Sequence, residues 1–397
     1  MSAPTKDKLR VFMVVGEHSG DQLGFKLMRA LRAHAQSEIE FSGIAGEAME
    51  AEGLHSLFPL ADIAVMGILP VIAKLPTLLA RITATVRAIV ASRPDALVII
   101  DSPDFTHRVA RRVRKALPTL PIVDYVSPSV WAWRPGRAKA MRAYVDRLLA
   151  LLPFEPAAHQ RLGGPPCWYV GHPLIERLAE LRPDAQEAVR RAVDPPLIVV
   201  LPGSRRSVIA RLSDDFGRVL ELAAREIGAF EAVLPTFPHL AAEIGERVAK
   251  WPIQPRIVVG EAAKFAAFRT ARAALAASGT VTLELALAGV PMVGAYKVSR
   301  FEEPLKYIFK IPPLILLPNL ILGERAIPEI LQGECTPENL SAALVGLVRE
   351  GAPREAQIEA LSRLDGLMQL PDGDTPSARA AQLVLQAIAD RTRLAPT

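Results

Sequence analysis

The stretch "LRVFMVVGEHSGD", residues 9–21, holds an unbroken apolar run, a glycine-bracketed turn and the start of an amphipathic pattern. A continuous run of this kind suits a strand buried on both faces, hence a parallel sheet with covering helices. Leu23, Leu27 and Leu31 continue on one helical face. Ser19 with Gln22 three residues on reads as an N-cap and capping box, and Asp21 suits the positive end of the helix. Glu17 and His18 fall at the carboxyl end of the strand, where doubly wound folds bind ligands. Two carboxylates, Glu17 and Asp21, would repel a diphosphate but accept hydrogen bonds from sugar hydroxyls.

The same unit recurs along the 397 residues. Further strands are expected at "EFSGIAG", "DALVIID", "PIVDYVS", "RLLALLP" and "CWYVG", then at "PLIVVLPG", "EAVLP", "PRIVVG", "AALAASG" and "VPMVGAY". Proline and charge fill 171–196, from "GHPLIERL" to "VDPP", which reads as a linker. The expectation is an α/β protein with two doubly wound, Rossmann-like domains facing a cleft, 1–170 and 197–374. A final helix in 375–397 is expected to pack back on the first domain. Two cysteines, Cys167 and Cys335, form no disulfide framework and have no metal spacing, which points to a reducing cytosol. The polar start "MSAPTKDKLR" runs straight into a strand and predicts no leader.

The second domain carries what the first turn lacks. "VVLPGSRRSVI" (199–209) gives a strand, then Gly203 for close backbone approach, Ser204 as donor and Arg205 to fork onto a phosphate. "AASGTVTLELALAG" (276–289) offers Ser278, Gly279 and Thr280 at a helix start, with Glu284 one turn in to accept from ribose hydroxyls. In the first domain "VIIDSPDF" (98–105) brings Asp101 and Asp104 to a strand end. Their D-x-x-D spacing is not a metal motif, so no metal and no cofactor are expected. "YVSPSVWAWRPGR" (125–137) groups Trp131, Trp133 and Arg134, as core packing or as a wall of an acceptor site.

Net charge is +5, dense in "HRVARRVRK" (107–115) and "WRPGRAKAMR" (133–142). That favours an anionic substrate or lipid surface; with no zinc spacing and no RNA-binding aromatic signature, nucleic acid is not expected. The apolar stretches 65–82 and 305–322 are broken by lysine and proline, which argues against spanning a bilayer. Leu69, Ile72, Leu75 and Leu79 share one helical face, suited to core packing or to lipid tails.

Taken in order, "GEHSGDQLG", "AVMGI", "IDSPDF", "YVSPSVWAWR", "LPFE", "VGHPL", "LPGSR", "ASGT", "LE" and "LPNLILG" resemble the lipid-A-disaccharide synthase family over nearly the whole chain. The resemblance implies a GT-B glycosyltransferase fold. It implies condensation of UDP-2,3-diacylglucosamine with 2,3-diacylglucosamine 1-phosphate, giving the β-1,6-linked lipid A disaccharide 1-phosphate and UDP. It places the enzyme in the cytoplasm, peripheral on the anionic inner face of the inner membrane, and allows a homodimer. Residue by residue it marks Asp101, Glu17, Arg205, Glu284 and, from "LPN", Asn319. His18 departs from the family's usual small residue. Asp101 is the preferred base, with Glu17 and His18 as alternatives; Asp21 and Trp133 join the acceptor side. Two other readings fit much of the pattern: a UDP-sugar epimerase of the same fold, and a non-catalytic peripheral protein that holds a nucleotide-linked lipid.

Overall fold

The computed structural model describes residues 8–64, 74–297, 313–370 and 373–394. The chain divides into two compact units, Met1–Pro173 with Gln369–Thr397, and Leu174–Met368. In the first, β1 (Lys8–Val15), β2 (Glu38–Ile44), β3 (Ala96–Ile100), β4 (Ile122–Tyr125), β5 (Arg147–Ala150) and β6 (Cys167–Tyr169) form a sheet in the order β2-β1-β3-β4-β5-β6. In the second, β7 (Leu197–Leu201), β8 (Glu231–Thr236), β9 (Arg256–Val259), β10 (Ala273–Ala277), β11 (Met292–Tyr296) and β12 (Glu329–Leu331) form the order β12-β11-β10-β7-β8-β9. Every pairing is parallel.

The unbroken apolar run of β1 has the expected cause. Val11, Met13 and Val15 enter one core and Phe12 and Val14 the other, all at most 1% exposed. The first core is closed by the helix His18–His34, which lays Leu23, Leu27 and Leu31 on the sheet, and by Ala380, Val384 and Ala387 of the helix Pro376–Leu394. Complete burial of a leucine such as Leu27 contributes about 1.5–3 kcal/mol. The opposite face is covered by Leu75–Ser92, through Ile82 and Ile89, and by Pro103–Ala116, through Val109 and Val113.

The first of these helices is long and apolar enough to cross a membrane, 18 residues with a mean hydropathy of 1.2. Its stripe of Ile82, Thr85 and Ile89 is nevertheless packed in the unit's core, and Arg81 pairs with Asp62 at 2.5 Å. Leu75 and Leu79 share its outer side, 45% and 40% exposed. Leu69 and Ile72 lie outside the described residues, as does 305–312 of the second apolar stretch.

Three expectations need correction. The segment 171–196 is not an open linker: it contains the helices Leu178–Leu181 and Ala185–Ala192. The second starts on a capping box of Asp184 and Glu187. Arg191 then donates to the carbonyls of Phe268, Ala288 and Gly289 at 2.9–3.1 Å, and Arg269 binds Glu187 at 2.8 Å. These bonds make 174–196 an integral part of the second unit, while 171–173 belong to the first. The strand β12 was not foreseen because "EIL" is three residues long and its glutamate faces inward, 8% exposed. Finally, the N-cap of the first helix is Glu17, and Ser19 lies within its first turn.

Candidate functional site

In the first sheet the chain leaves β1 for β2 on one side and takes up β3 on the other, so the strand order switches between β1 and β3. Ligands of open parallel sheets bind outside the carboxyl ends of the strands at such a point. Val15 pairs with Ile100, so the turns "GEHSGD" and "DSPDF" emerge side by side. A Cβ on Gly16 would lie 2.1 Å from Ser102 Cβ, so only glycine permits this approach.

Asp101 and Ser102 both adopt left-handed backbone, at φ 56° and 48°. Two consecutive non-glycine residues there cost on the order of 1–3 kcal/mol each, a strain that clusters at functional sites. The conformation lets Asp101 Oδ1 accept from its neighbour's Ser102 N–H at 2.7 Å, while Ser19 Oγ donates to Oδ2 at 3.1 Å. Thr106 Oγ1 donates to the Asp101 carbonyl at 2.8 Å, fixing the turn to the next helix. The Asp101 carboxylate is partly exposed and held by both oxygens.

The neighbouring residues divide by role. Glu17 lines a pocket of ≈400 Å³ together with Ser102, Asp104, Leu75 and Leu79. His18 is exposed on the same turn. Asp104 is engaged by Arg137 at 3.0 Å. Trp133 is 46% exposed, with the Arg134 guanidinium 5.2 Å from its ring centre. Asp21 turns inward instead. It is fully buried and accepts from Gly46, Ala48 and Met49 N–H at 2.9–3.1 Å, capping the helix Glu47–Ala51. Its carboxylate is spent on the fold, which removes it from the acceptor side. Of the two acidic groups in the opening turn, one is structural and one borders the pocket.

Behind the "WAWR" turn lies a buried network that sequence reasoning missed, although "LPFE" carried the signal. Glu155, 3% exposed, accepts from Leu152 N–H at 3.0 Å and from Trp131 Nε1–H at 3.3 Å. Burial pushes its carboxyl up to about 7. Ser127 Oγ lies 2.8 Å from His159 Nε2, and burial pushes that imidazole down to about 4. Between its ordinary 4.5 and about 7 the folded protein holds a proton on Glu155 that the unfolded chain releases, so this group lowers stability as pH rises through that window. His159 acts oppositely: its contribution is lost as pH falls from 6.5 through about 4. Glu155→Gln removes only the first effect. Urea unfolding at pH 5 and pH 8 is expected to show a difference about 2–3 kcal/mol more favourable to pH 8 in the variant than in the parent. Identical pH dependence in both would show that Glu155 does not titrate in this range.

In the second sheet the order switches at β7, beside β10. Leu201 pairs with Ala276, so the turns after these strands also emerge side by side. Gly203 has φ 128°, and a Cβ there would meet Val208 Cγ1 at 2.8 Å. Arg205 caps the 22-residue helix Arg206–Ile227 through its carbonyl, which accepts from Val208 and Ile209 N–H at 2.9–3.0 Å. Ser204 and Arg205 are exposed. Arg206 is tied to Glu243 at 2.9 Å, whereas among the described residues the Arg205 guanidinium has no partner. Gly279 and Thr280 are exposed at the start of Val281–Leu287, with Ser278 half-buried beside them. Glu284 is paired with Lys264 at 2.7 Å, a lysine that the sequence reading did not single out. Two adjacent turns with glycine, hydroxyls, helix N–H groups and a spare guanidinium can hold a diphosphate.

Asn319 does not join them. It is fully buried; its Nδ2 donates to Ile327 carbonyl and Glu329 Oε1 at 2.8 Å, and its Oδ1 accepts from Ile327 N–H at 2.9 Å. With both amide hydrogens donated and no exposed surface, it orders the "LPN" helix in this arrangement. Among the described residues no three His, Cys, Asp or Glu side chains converge as a metal site.

Residues 11–370 match the family of lipid-A-disaccharide synthetase, LpxB. The chain is 54% identical over 379 residues to the lipid-A-disaccharide synthase of Nitrobacter hamburgensis, covering 96% of each, and 51% identical to that of Rhodopseudomonas palustris, covering 98% of each. Among solved structures it resembles a UDP-GlcNAc 2-epimerase from Neisseria meningitidis bound to UDP-GlcNAc, with TM-score 0.60, 11% identity and 96% and 100% of the two chains covered. MurG from Acinetobacter baumannii gives TM-score 0.57 at 14% identity, covering 95% and 99%. At these identities the structural likeness concerns the fold, two Rossmann-like units of GT-B type.

Proposed function

The chain belongs to the lipid-A-disaccharide synthase family, and we propose that it joins UDP-2,3-diacylglucosamine to 2,3-diacylglucosamine 1-phosphate through a β-1,6 bond, releasing UDP. It is a hexosyltransferase of lipid A biosynthesis; the epimerase reading rests on fold alone and is set aside. In the proposed reaction the acceptor's 6-hydroxyl attacks the anomeric carbon of the donor and inverts it. Asp101 takes the hydroxyl proton. The transition state is oxocarbenium-like, as in glycoside hydrolysis. Arg205, the N–H groups of Gly203–Arg205 and of Gly279 and Thr280, and the Ser278 hydroxyl receive the negative charge that develops on UDP. Glu284 accepts from the ribose.

The observation that carries the acceptor half of this reading is the Asp101 carboxylate, held by Ser102 and Ser19 on a strained turn at the switch point. The test is a purified-enzyme assay with the diacylated UDP-sugar, with and without acceptor. Disaccharide and UDP formed only when acceptor is present support it. Turnover of the donor without acceptor, or no turnover with both, contradicts it.

The same reading sets the enzyme on the inner face of the inner membrane. Support comes from the exposed pair Leu75 and Leu79 and the arginine-rich helix Pro103–Ala116. Leu75→Ser with Leu79→Ser is expected to weaken flotation with anionic vesicles by about thirtyfold or more, since each buried leucine contributes more than about 1 kcal/mol. Unchanged flotation would remove this face from the contact.

A further inference from the structure

The pocket beside Asp101 has a lining that the proton transfer does not explain. One wall is apolar, formed by Ile63, Leu78, Leu79 and Ile82 with Phe105 from the neighbouring helix. Arg108 and Arg134 complete it.

These two guanidiniums stand apart from the other cations nearby. On the helix Pro103–Ala116, Arg111 lies 4.9 Å over the Tyr144 ring and Arg112 donates to Thr83 Oγ1 at 3.3 Å. Arg114 donates to the Pro118 carbonyl at 2.6 Å and pairs with Asp146. Arg137 is engaged by Asp104, one of the two carboxylates that line the pocket, the other being Glu17. Among the described residues Arg108 has no hydrogen-bond or ion-pair partner, and Arg134 has only its contact with the Trp133 ring. Arg134 is held at φ 52°, a left-handed backbone that fixes where its side chain starts. The pocket thus joins an alkyl surface to two guanidiniums that no carboxylate pairs among the described residues, with Glu17 on the side of Asp101. Such a pair matches a phosphomonoester, which offers three acceptor oxygens.

We propose that Arg108 and Arg134 bind the 1-phosphate of the acceptor, with an acyl chain of the same molecule against Leu75, Leu78 and Leu79. The proposal rests on the transferase reading above. It makes the phosphate a selection element: a sugar with the same acyl chains and no phosphate leaves two guanidiniums unpaired. Glu17 and Ser102 line the same pocket, so a ligand held there lies beside the residues that hold and flank Asp101.

The test is steady-state kinetics in neutral-detergent micelles, with 2,3-diacylglucosamine 1-phosphate and with 2,3-diacylglucosamine as alternative acceptors. Arg108 is exposed, so Arg108→Gln is compatible with folding. Arg108→Gln and Arg134→Gln are each expected to raise KM for the phosphorylated acceptor about 10- to 100-fold, the range for a lost charge-assisted contact. KM for the UDP-sugar and for the unphosphorylated acceptor should stay unchanged, and Arg108→Lys should recover part of the loss. A parent enzyme that makes disaccharide while both glutamine variants keep its full preference for phosphate overturns the clamp alone. Absence of disaccharide from the parent overturns the transferase reading beneath it. A loss seen only on anionic vesicles, and not in neutral micelles, assigns the arginines to bilayer headgroups and also overturns the clamp.

Discussion

Asp101→Asn is expected to lower kcat by about 10²–10⁴-fold, the usual contribution of a positioned general base, with little change in KM for the UDP-sugar. The substitution separates chemistry from folding because of how the residue is held. Asn keeps a carbonyl oxygen to accept from Ser102 N–H, and the Ser19 hydroxyl can reverse its role toward the new amide. Asparagine also tolerates the left-handed backbone that Asp101 adopts at φ 56°. Stability should therefore change little, while the group that accepts the proton is gone. Alanine confounds the two, since it adds strain at that φ and leaves the Ser102 N–H without its acceptor. A kcat within a few-fold of the parent would move the base to Glu17 or His18, which share the adjoining turn.

Arg205→Ala is expected to lower kcat by about 10²–10³-fold, by analogy with loss of a single donor to a developing negative charge. UDP affinity should fall about 10- to 100-fold, as expected for a lost charge-assisted hydrogen bond. The fold should be indifferent. Arg205 is exposed, its guanidinium has no partner among the described residues, and its capping role is carried by the backbone carbonyl. Arg205→Lys should recover only part of the loss, because an ammonium cannot reproduce the planar fork. Arg206→Ala is the internal control: that side chain is tied to Glu243 and should affect UDP binding little. Equal effects at 205 and 206 would mean that general positive charge, not a placed donor, holds the nucleotide.

What the sequence revealed follows the strength of its periodic signals. Strands buried on both faces announce themselves as apolar runs, and β1 to β11 all stand where such runs were read. β12 is three residues around an inward glutamate and leaves no run to read. Strand-end turns were readable too, because a glycine next to Ser, Arg or Asp marks a tight turn with exposed donors or acceptors. The direction of each side chain was not. Asp21 and Glu17 look alike in "GEHSGD", yet Asp21 is consumed by three N–H groups of a helix that begins 26 residues later, at Glu47. Asn319 is consumed in the same way by Ile327 and Glu329. Arg108 was hidden for the opposite reason. It sits in a run of similar arginines, and only the partners taken by Arg111, Arg112 and Arg114 set it apart.

The division of work between the two units is open to a single measurement, the structure of the enzyme crystallised with UDP. The pyrophosphate is predicted to lie within hydrogen-bond distance of the N–H groups of Gly203–Arg205 and of Gly279 and Thr280, with the Arg205 guanidinium on its oxygens. Pyrophosphate bound against Glu17 and Ser102, with the Arg205 turn empty, would contradict it.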